Sequence, residues 1–202
     1  MNPILLDIPN HISTPRLLMR PPQAGDGSKV YAAVRETKRQ LARWMPWAQG
    51  TLSEKQFEEW VRRASAQWIL REDMALLIWD KNKRRCLGGT GLHRIKWDVP
   101  SFEIGYWLRH SSQGKGLALE ATLALAHFCF DVLKAKRIEI KCDEDNAASA
   151  AIPERLNFTK EARLQNDSVA SDGKRSYRRT TIVYAITTAK ALPPIKYKYA
   201  ER

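Results

Sequence analysis

Two short stretches of the chain combine residue types that could do chemistry. Residues 103–121 read EIGYWLRHSSQGKGLALEA, a strand-like run followed by Gln113-Gly114-Lys115-Gly116 and a helical pattern. Glycines at a helix start let several backbone N–H groups converge on an anion, and Lys115 adds a positive charge. The same glycines also suit a plain chain reversal, and this stretch alone leaves both readings open. Residues 139–158, EIKCDEDNAASAAIPERLNF, hold the second group. Asn146 stands where a side chain would cap a helix, with Ser149 three residues on. Capping accounts for part of the role of Asn146 but leaves Ser149 unexplained. Pro153 lacks the N–H that would bond the carbonyl of residue 149, so the helix is expected to be short or kinked where it carries that serine.

Familiar alternatives do not fit. A P-loop needs a Gly-Lys pair five residues after its first glycine with Ser or Thr next, whereas Gly114 and Gly116 are two apart and Leu117 follows Gly116. The dinucleotide fingerprint needs a third small residue where Leu119 stands. Cys86, Cys129 and Cys142 are an odd set without C-x-x-C spacing, which argues against a disulfide framework and a zinc site. His11, His93, His110 and His127 are scattered, so no metal is expected.

The elements that must position these groups follow from periodicity. Residues 13–22 read as a first strand closed by Pro21-Pro22, and a helix begins near Ala24–Asp26. Ser53 with Gln56 gives a capping-box signal for a helix carrying Phe57, Trp60, Val61, Ala64 and Trp68 at helical spacing. Met74–Asp80, Arg85–Trp97 and 101–109 read as antiparallel strands. Lys115–Lys134 reads as the longest helix, with an apolar stripe of Leu117, Ala121, Ala124, Phe128 and Val132. Ile138–Asp143 is a strand, Asn146–Leu156 a short helix, and Phe158 onward with Arg178–Thr187 makes two closing strands. Residues 172–179 read as the turn between them. The order predicts an α+β fold, one domain over 1–189 followed by a loose basic tail over 190–202.

Composition bounds the rest. The chain has 202 residues, 44% hydrophobic and 28% charged, enough for a real core and unlike a disordered chain. No apolar run approaches a membrane span, and the first twenty or so residues lack a signal-peptide core, so a soluble cytoplasmic protein is expected. The net charge of +12 suits polyanions such as phosphate-bearing cofactors, RNA, ribosomes or acidic proteins, without choosing among them.

Taken in order, TPRLLMRPP, WMPW at 44–47, GGTGL at 88–92, EIGYWL at 103–108, QGKGLALEA at 113–121 and DNAASAAIPERLNF at 145–158 resemble the GNAT acetyltransferase superfamily. The resemblance covers roughly residues 13–187 and is to the branch that acetylates ribosomal-protein amino termini at Ala or Ser. It implies an α/β/α sandwich with a mixed, splayed sheet that admits acetyl-CoA. Tyr106, Trp107 and Leu108 would offer backbone groups to the pantetheine arm. Gln113, Gly114, Lys115, Gly116, Leu117 and Ala118 would wrap the pyrophosphate, Asn146 would lie beside the pantetheine, and Ser149 near the thioester sulfur as a hydroxyl donor to the leaving thiolate. The implied chemistry is direct attack of an amine on the thioester, without a metal.

This chain also departs from the family pattern. Ser111 stands where the phosphate motif often has Arg or Gln, and Asn157 replaces the usual glycine after the short helix. In one subgroup a carboxylate after that helix is proposed as general base; here Ser168 falls in its place, beside Asp167. Glu103 is the other candidate, and a strand-edge carboxylate paired with a basic neighbour is an equal reading of it. An α-amine is roughly a tenth neutral at pH 7 while a lysine amine is neutral about once in a few thousand, a gap of about 3.5 kcal/mol. A protein amino terminus, possibly ribosomal, can therefore be acetylated with a weak base or water. The alternatives are a small amine such as a polyamine, aminoglycoside or amino acid, or a non-catalytic ribosome- or RNA-binding module of the same fold. The implied partners involve no membrane and meet nucleic acid only through the ribosome, with the chain a monomer or homodimer.

Overall fold

A computed structural model describes residues 2–82, 84–171 and 178–199. Thirteen regular elements follow one another: β1 (Ile12–Ser13), β2 (Leu17–Arg20), α1 (Gly27–Trp44), α2 (Glu54–Leu70), β3 (Met74–Asp80), β4 (Cys86–Lys96), β5 (Ser101–Leu108), α3 (Leu117–Asp131), β6 (Arg137–Asp143), α4 (Ala147–Arg155), β7 (Thr159–Val169), β8 (Arg178–Ile186) and β9 (Lys198–Tyr199). The strands form one sheet in the order β7-β8-β6-β5-β4-β3-β2-β1-β9. Its neighbours are antiparallel except β5 and β6.

Alternation along the central strands builds two cores. On β3, Met74, Leu76 and Ile78 join Phe102, Ile104, Ile138, Ile140 and the α3 residues Ala124 and Phe128. The alternate residues Leu77 and Trp79 pack with Val30 and Val34 of α1 and Phe57 and Val61 of α2. The result is the expected α/β/α sandwich.

Local chemistry sets the element ends. The Ser53–Gln56 capping box forms, with the Ser53 N–H donating to Gln56 Oε1 at 2.8 Å. Its helix buries Phe57, Val61, Ala64 and Trp68, while Trp60 falls off the stripe and is 40% exposed. The expected first strand is two: Thr14 N–H donates to the Leu17 carbonyl and Leu17 N–H to Thr14 Oγ1, making a turn around Pro15. The third helix spans 15 residues against 18 for α1 and 17 for α2, so it is not the longest. Left-handed backbone at Gly116 and Lys134 limits it.

The tail was expected to be loose, but its described residues dock. Lys198 and Tyr199 pair with Ser13 and Ile12 of β1, and Leu192 is buried in the main core. His127 meets the Pro193 carbonyl at 2.9 Å. With the tail on one side and the sheet on the other, α3 is buried nearly all round, which a single apolar stripe would not allow. The expected turn at 172–179 lies mostly outside the described residues; Arg178 and Arg179 already belong to β8.

Candidate active site

The sheet opens where its one parallel pair ends. β5 and β6 pair at Ser101↔Arg137, Phe102↔Ile138 and Glu103↔Glu139, and no further. β5 stays on β4 to Leu108, and β6 stays on β8 to Asp143. A cleft therefore widens between them. Arg109 N–H donates to the Leu87 carbonyl at 2.8 Å, so alternation turns the backbone of Trp107 and Gly105 toward β4 as well. Thr90 Oγ1 donates to the Gly105 carbonyl at 2.8 Å, as this requires. The backbone groups of Tyr106 and Leu108 face the cleft. Gln113 Nε2 occupies the Leu108 carbonyl at 2.9 Å, leaving Tyr106 N–H, Tyr106 C=O and Leu108 N–H for a ligand. Trp107 thus differs from expectation: its backbone serves β4, and its indole lies over Gly89, where a Cβ would come within 2.6 Å of Trp107 Nε1.

The mouth of the cleft is the glycine loop. Gly114 and Gly116 adopt φ of 71° and 72°, in the left-handed region. Leu117 and Ala118 open α3, where N–H groups have no intrahelical acceptor and the helix dipole is positive. Lys115 folds back, its ammonium donating to the Ser111 carbonyl at 2.8 Å. Arg16 pins the loop from the β1–β2 side: its Nη1 donates to the Lys115 carbonyl at 2.8 Å and its Nε meets Glu120 at 2.5 Å. From α1, Glu36 accepts from Ser111 N–H at 2.8 Å and binds Arg109, while Arg85 donates to Ser111 Oγ at 2.7 Å. The hydrogen bond from Arg109, then that from Ser111, holds the Glu36 carboxyl down at about 2. Arg16, Arg85 and Arg109 thus ring the loop with cations, a role that sequence reasoning missed. The signal for Arg16 was present in TPRLL, read only as part of a strand.

A hydroxyl pair stands on the cleft wall. Asn146 caps α4, its Oδ1 accepting from Ser149 N–H at 3.2 Å. Pro153 leaves the Ser149 carbonyl without its helical donor, and the Tyr106 hydroxyl donates to that carbonyl at 2.8 Å. The Ser149 hydroxyl donates to Tyr106 Oη at 3.2 Å. Burial raises the Tyr106 pKa, and burial likewise pushes the nearby Cys142 thiol up to about 11. Both groups keep their protons at neutral pH. The Tyr106 side chain is a second residue that sequence reasoning missed, having assigned it only backbone contacts.

The opposite side of β5 carries Glu103, which alternation turns away from Tyr106. Arg94 binds Glu103, and Lys141 Nζ lies 3.2 Å from both Glu103 and Glu139. Asp167 is exposed beside Asn166, whose φ is 56°, and Ser168 pairs with Arg179; neither Asp167 nor Ser168 reaches the pocket wall. That pocket, about 300 Å³, lies between the end of α1 and the end of β6, with Ala42, Arg43, Trp44, Asp143, Asp145 and Arg179 in its lining. Among the described residues no group of three His, Cys, Asp or Glu side chains could hold a metal ion, and no helix is long and apolar enough to cross a membrane.

A split sheet with free backbone on one strand and a glycine loop at a helix start defines an acyl-CoA-binding acetyltransferase. Residues 16–159 match the family described as Acetyltransferase (GNAT) domain, and the chain belongs to that family. It is 27% identical over 143 residues to the ribosomal-protein-serine acetyltransferase of Escherichia coli (strain K12), covering 71% of this chain and 79% of that one. Among solved structures it resembles the microcin C7 self-immunity acetyltransferase MccE in complex with acetyl-CoA and AMP, at TM-score 0.79 and 22% identity, over 87% and 94% of the two chains. It also resembles RimL, a ribosomal L7/L12 α-N-protein acetyltransferase in complex with coenzyme A, at TM-score 0.78 and 22% identity, over 86% and 95%. The chain is an N-acetyltransferase that uses acetyl-CoA, as the sequence resemblance implied.

Proposed function

We propose that the chain acetylates the α-amine of a protein amino terminus, ribosomal by analogy with its relatives, in the cytoplasm. The observation that carries this reading is a bridge over the acceptor pocket. Ser171, two residues past β7, shares its one hydroxyl proton between the Ala42 and Arg43 carbonyls, at 2.7 and 2.9 Å, and Arg179 Nη1 reaches the Trp44 carbonyl at 3.3 Å. These bonds satisfy the C-terminal carbonyls of α1 and tie that helix to the β7–β8 pair. A pocket bridged in this way suits a chain end better than a side chain presented from a folded surface.

When bound, acetyl-CoA supplies the activated thioester. The cleft groups of Tyr106 and Leu108 would align the pantetheine, and Asn146 would stand beside it. The amides at 114–118, with Arg16 and the α3 dipole, would hold the pyrophosphate. The Ser149 hydroxyl, held beside the Tyr106 phenol, would turn its one proton from Tyr106 Oη to the departing sulfur. Glu103 lies on the acceptor side as either the proton acceptor or part of the floor. Positioning of the amine and preorganised donors supply the catalysis.

The test is mass spectrometry after incubation with acetyl-CoA and salt-washed ribosomal proteins. Acetyl on the α-amine of one protein is the expected result. Modification confined to lysine side chains, or none, would overturn the reading and favour a small amine.

A further inference from the structure

We infer that Arg43 selects acceptors with a carboxylate side chain among the first few residues after the amino terminus. This rests on the amino-terminal acceptor reading above and adds a recognition element to it.

The pocket is chemically polarised. Asp143 and Asp145 lead directly into Asn146 and Ser149, so the acidic wall borders the transfer site. Asp143 is already paired with Arg179, so the wall marks the side of the pocket that adjoins the transfer site and is not a free counter-charge for the α-ammonium. The opposite wall is the last turn of α1, where Arg43 and Trp44 stand. A chain whose amino end lies at the acidic wall carries its next residues toward that turn.

The two guanidiniums of the pocket differ in what remains free. Arg179 is spent: its Nε binds Asp143, its Nη1 donates to the Trp44 carbonyl, and its side chain is only 11% exposed. Arg43 is exposed, with its guanidinium carbon 4.6 Å from the centroid of the Trp44 ring. Among the described residues it forms no ion pair. Cation–π attraction holds this guanidinium over the Trp44 ring, which Arg179 also approaches, and it keeps N–H donors that can receive a carboxylate in a two-point fork. The negative end of the α1 dipole holds this cation in place. Arg39, exposed one turn earlier, extends the positive field along the same helix.

The experiment uses the full chain, acetyl-CoA and two synthetic peptides identical except that one carries Asp and Glu at positions 2–4 and the other Asn and Gln. The acidic peptide is expected to show a KM about fivefold lower at similar kcat, the size of one accessible ion pair. Arg43→Gln should raise the KM of the acidic peptide to that of the amide peptide, and Arg43→Lys should restore only part of the preference. Equal KM values with the wild-type chain, or a preference that survives Arg43→Gln, overturn the inference and leave the acceptor reading standing. The wild-type comparison decides even if the variants fold poorly. Acetylation of neither peptide overturns the acceptor reading and the inference with it.

Discussion

The Tyr106 hydroxyl donates to the Ser149 carbonyl at 2.8 Å and receives the Ser149 hydroxyl at 3.2 Å, so a strand and a helix are clasped across the opening of the sheet. The clasp exists because Pro153 cannot donate to that carbonyl. A helix defect thus creates the acceptor that positions a tyrosine, and the tyrosine in turn orients the serine.

Removing either hydroxyl should slow turnover without loosening the cofactor. Ser149→Ala deletes the expected donor to the leaving sulfur, and a hydrogen bond to a developing charge contributes about 1.5–3 kcal/mol. A fall in kcat of about 10- to 100-fold is expected, with acetyl-CoA affinity nearly unchanged. Tyr106→Phe should lower kcat less, because the serine hydroxyl remains but loses its partner. Steady-state kinetics with calorimetric coenzyme A binding checks both, and full activity in Ser149→Ala would remove its assigned role.

Gly114→Val tests the loop. No atom lies within 4 Å of a Cβ at Gly114, so the substitution meets no clash within the protein. The φ of 71° nevertheless costs a β-branched residue about 1–2 kcal/mol, and the new side chain intrudes where amides would meet phosphate. Coenzyme A affinity should fall about tenfold or more by calorimetry. Unchanged affinity would mean that the glycine turn only reverses the chain.

Glu36 should make the loop's anchorage pH-dependent. Its carboxyl is held near 2, below the ordinary 4.5, chiefly by the Arg109 hydrogen bond. A depressed folded value stabilises the fold above about 4.5, and this contribution is lost as pH falls toward about 2. Wild type should therefore exceed Glu36→Gln by about 0.5–1 kcal/mol at pH 7, discounted for solvent access, with the gap closing in acid. Urea titrations at pH 7, 4 and 2.5 would follow it.

Much of this arrangement was legible in the sequence because it is local. A capping box, a glycine pair before a helix, and Asn146 three residues from Ser149 are short-range signals that dihedral preference and hydrogen-bond reach translate directly. What stayed hidden joins distant segments. Arg16 reaches Glu120, Glu36 reaches Ser111, and Ser171 reaches Ala42, contacts that no periodicity encodes. Trp107 was assigned to the cleft with its neighbours because sequence gives a strand's alternation but not which edge each amide faces. The tail read as loose because Pro193-Pro194 is followed by a charged stretch, and only the docked chain shows Leu192 in the core and Tyr199 against Phe128 of α3.

That docking is itself testable. Leu192 is 7% exposed, and truncation to alanine should cost about 2–4 kcal/mol through lost burial and a residual cavity. Coenzyme A affinity at 25 °C should remain, since Leu192 is buried in the main core and is not among the groups of the cleft or the glycine loop. Chemical denaturation showing no loss would mean that the tail contributes nothing to the fold.

The final prediction concerns the proton that the attacking amine must lose. Glu103 is bound by Arg94 through Oε1, and its Oε2 is buried without a hydrogen-bond donor, 3.2 Å from Lys141, so neither oxygen is open to an amine. Glu103→Gln preserves the shape of the side chain and removes its ability to take a proton. A general base contributes about 10²–10⁴ in rate, so its loss would collapse kcat/KM and abolish the rising limb of the pH profile. The double pairing leads to the opposite expectation: a fall of less than about tenfold, with the midpoint staying near the α-amine value of about 7.7–8.0. That outcome assigns proton removal to solvent and makes Glu103 a floor residue that fixes Arg94 and Lys141. A collapsed profile would instead identify Glu103 as the base and require the ion pairs to open when the acceptor binds.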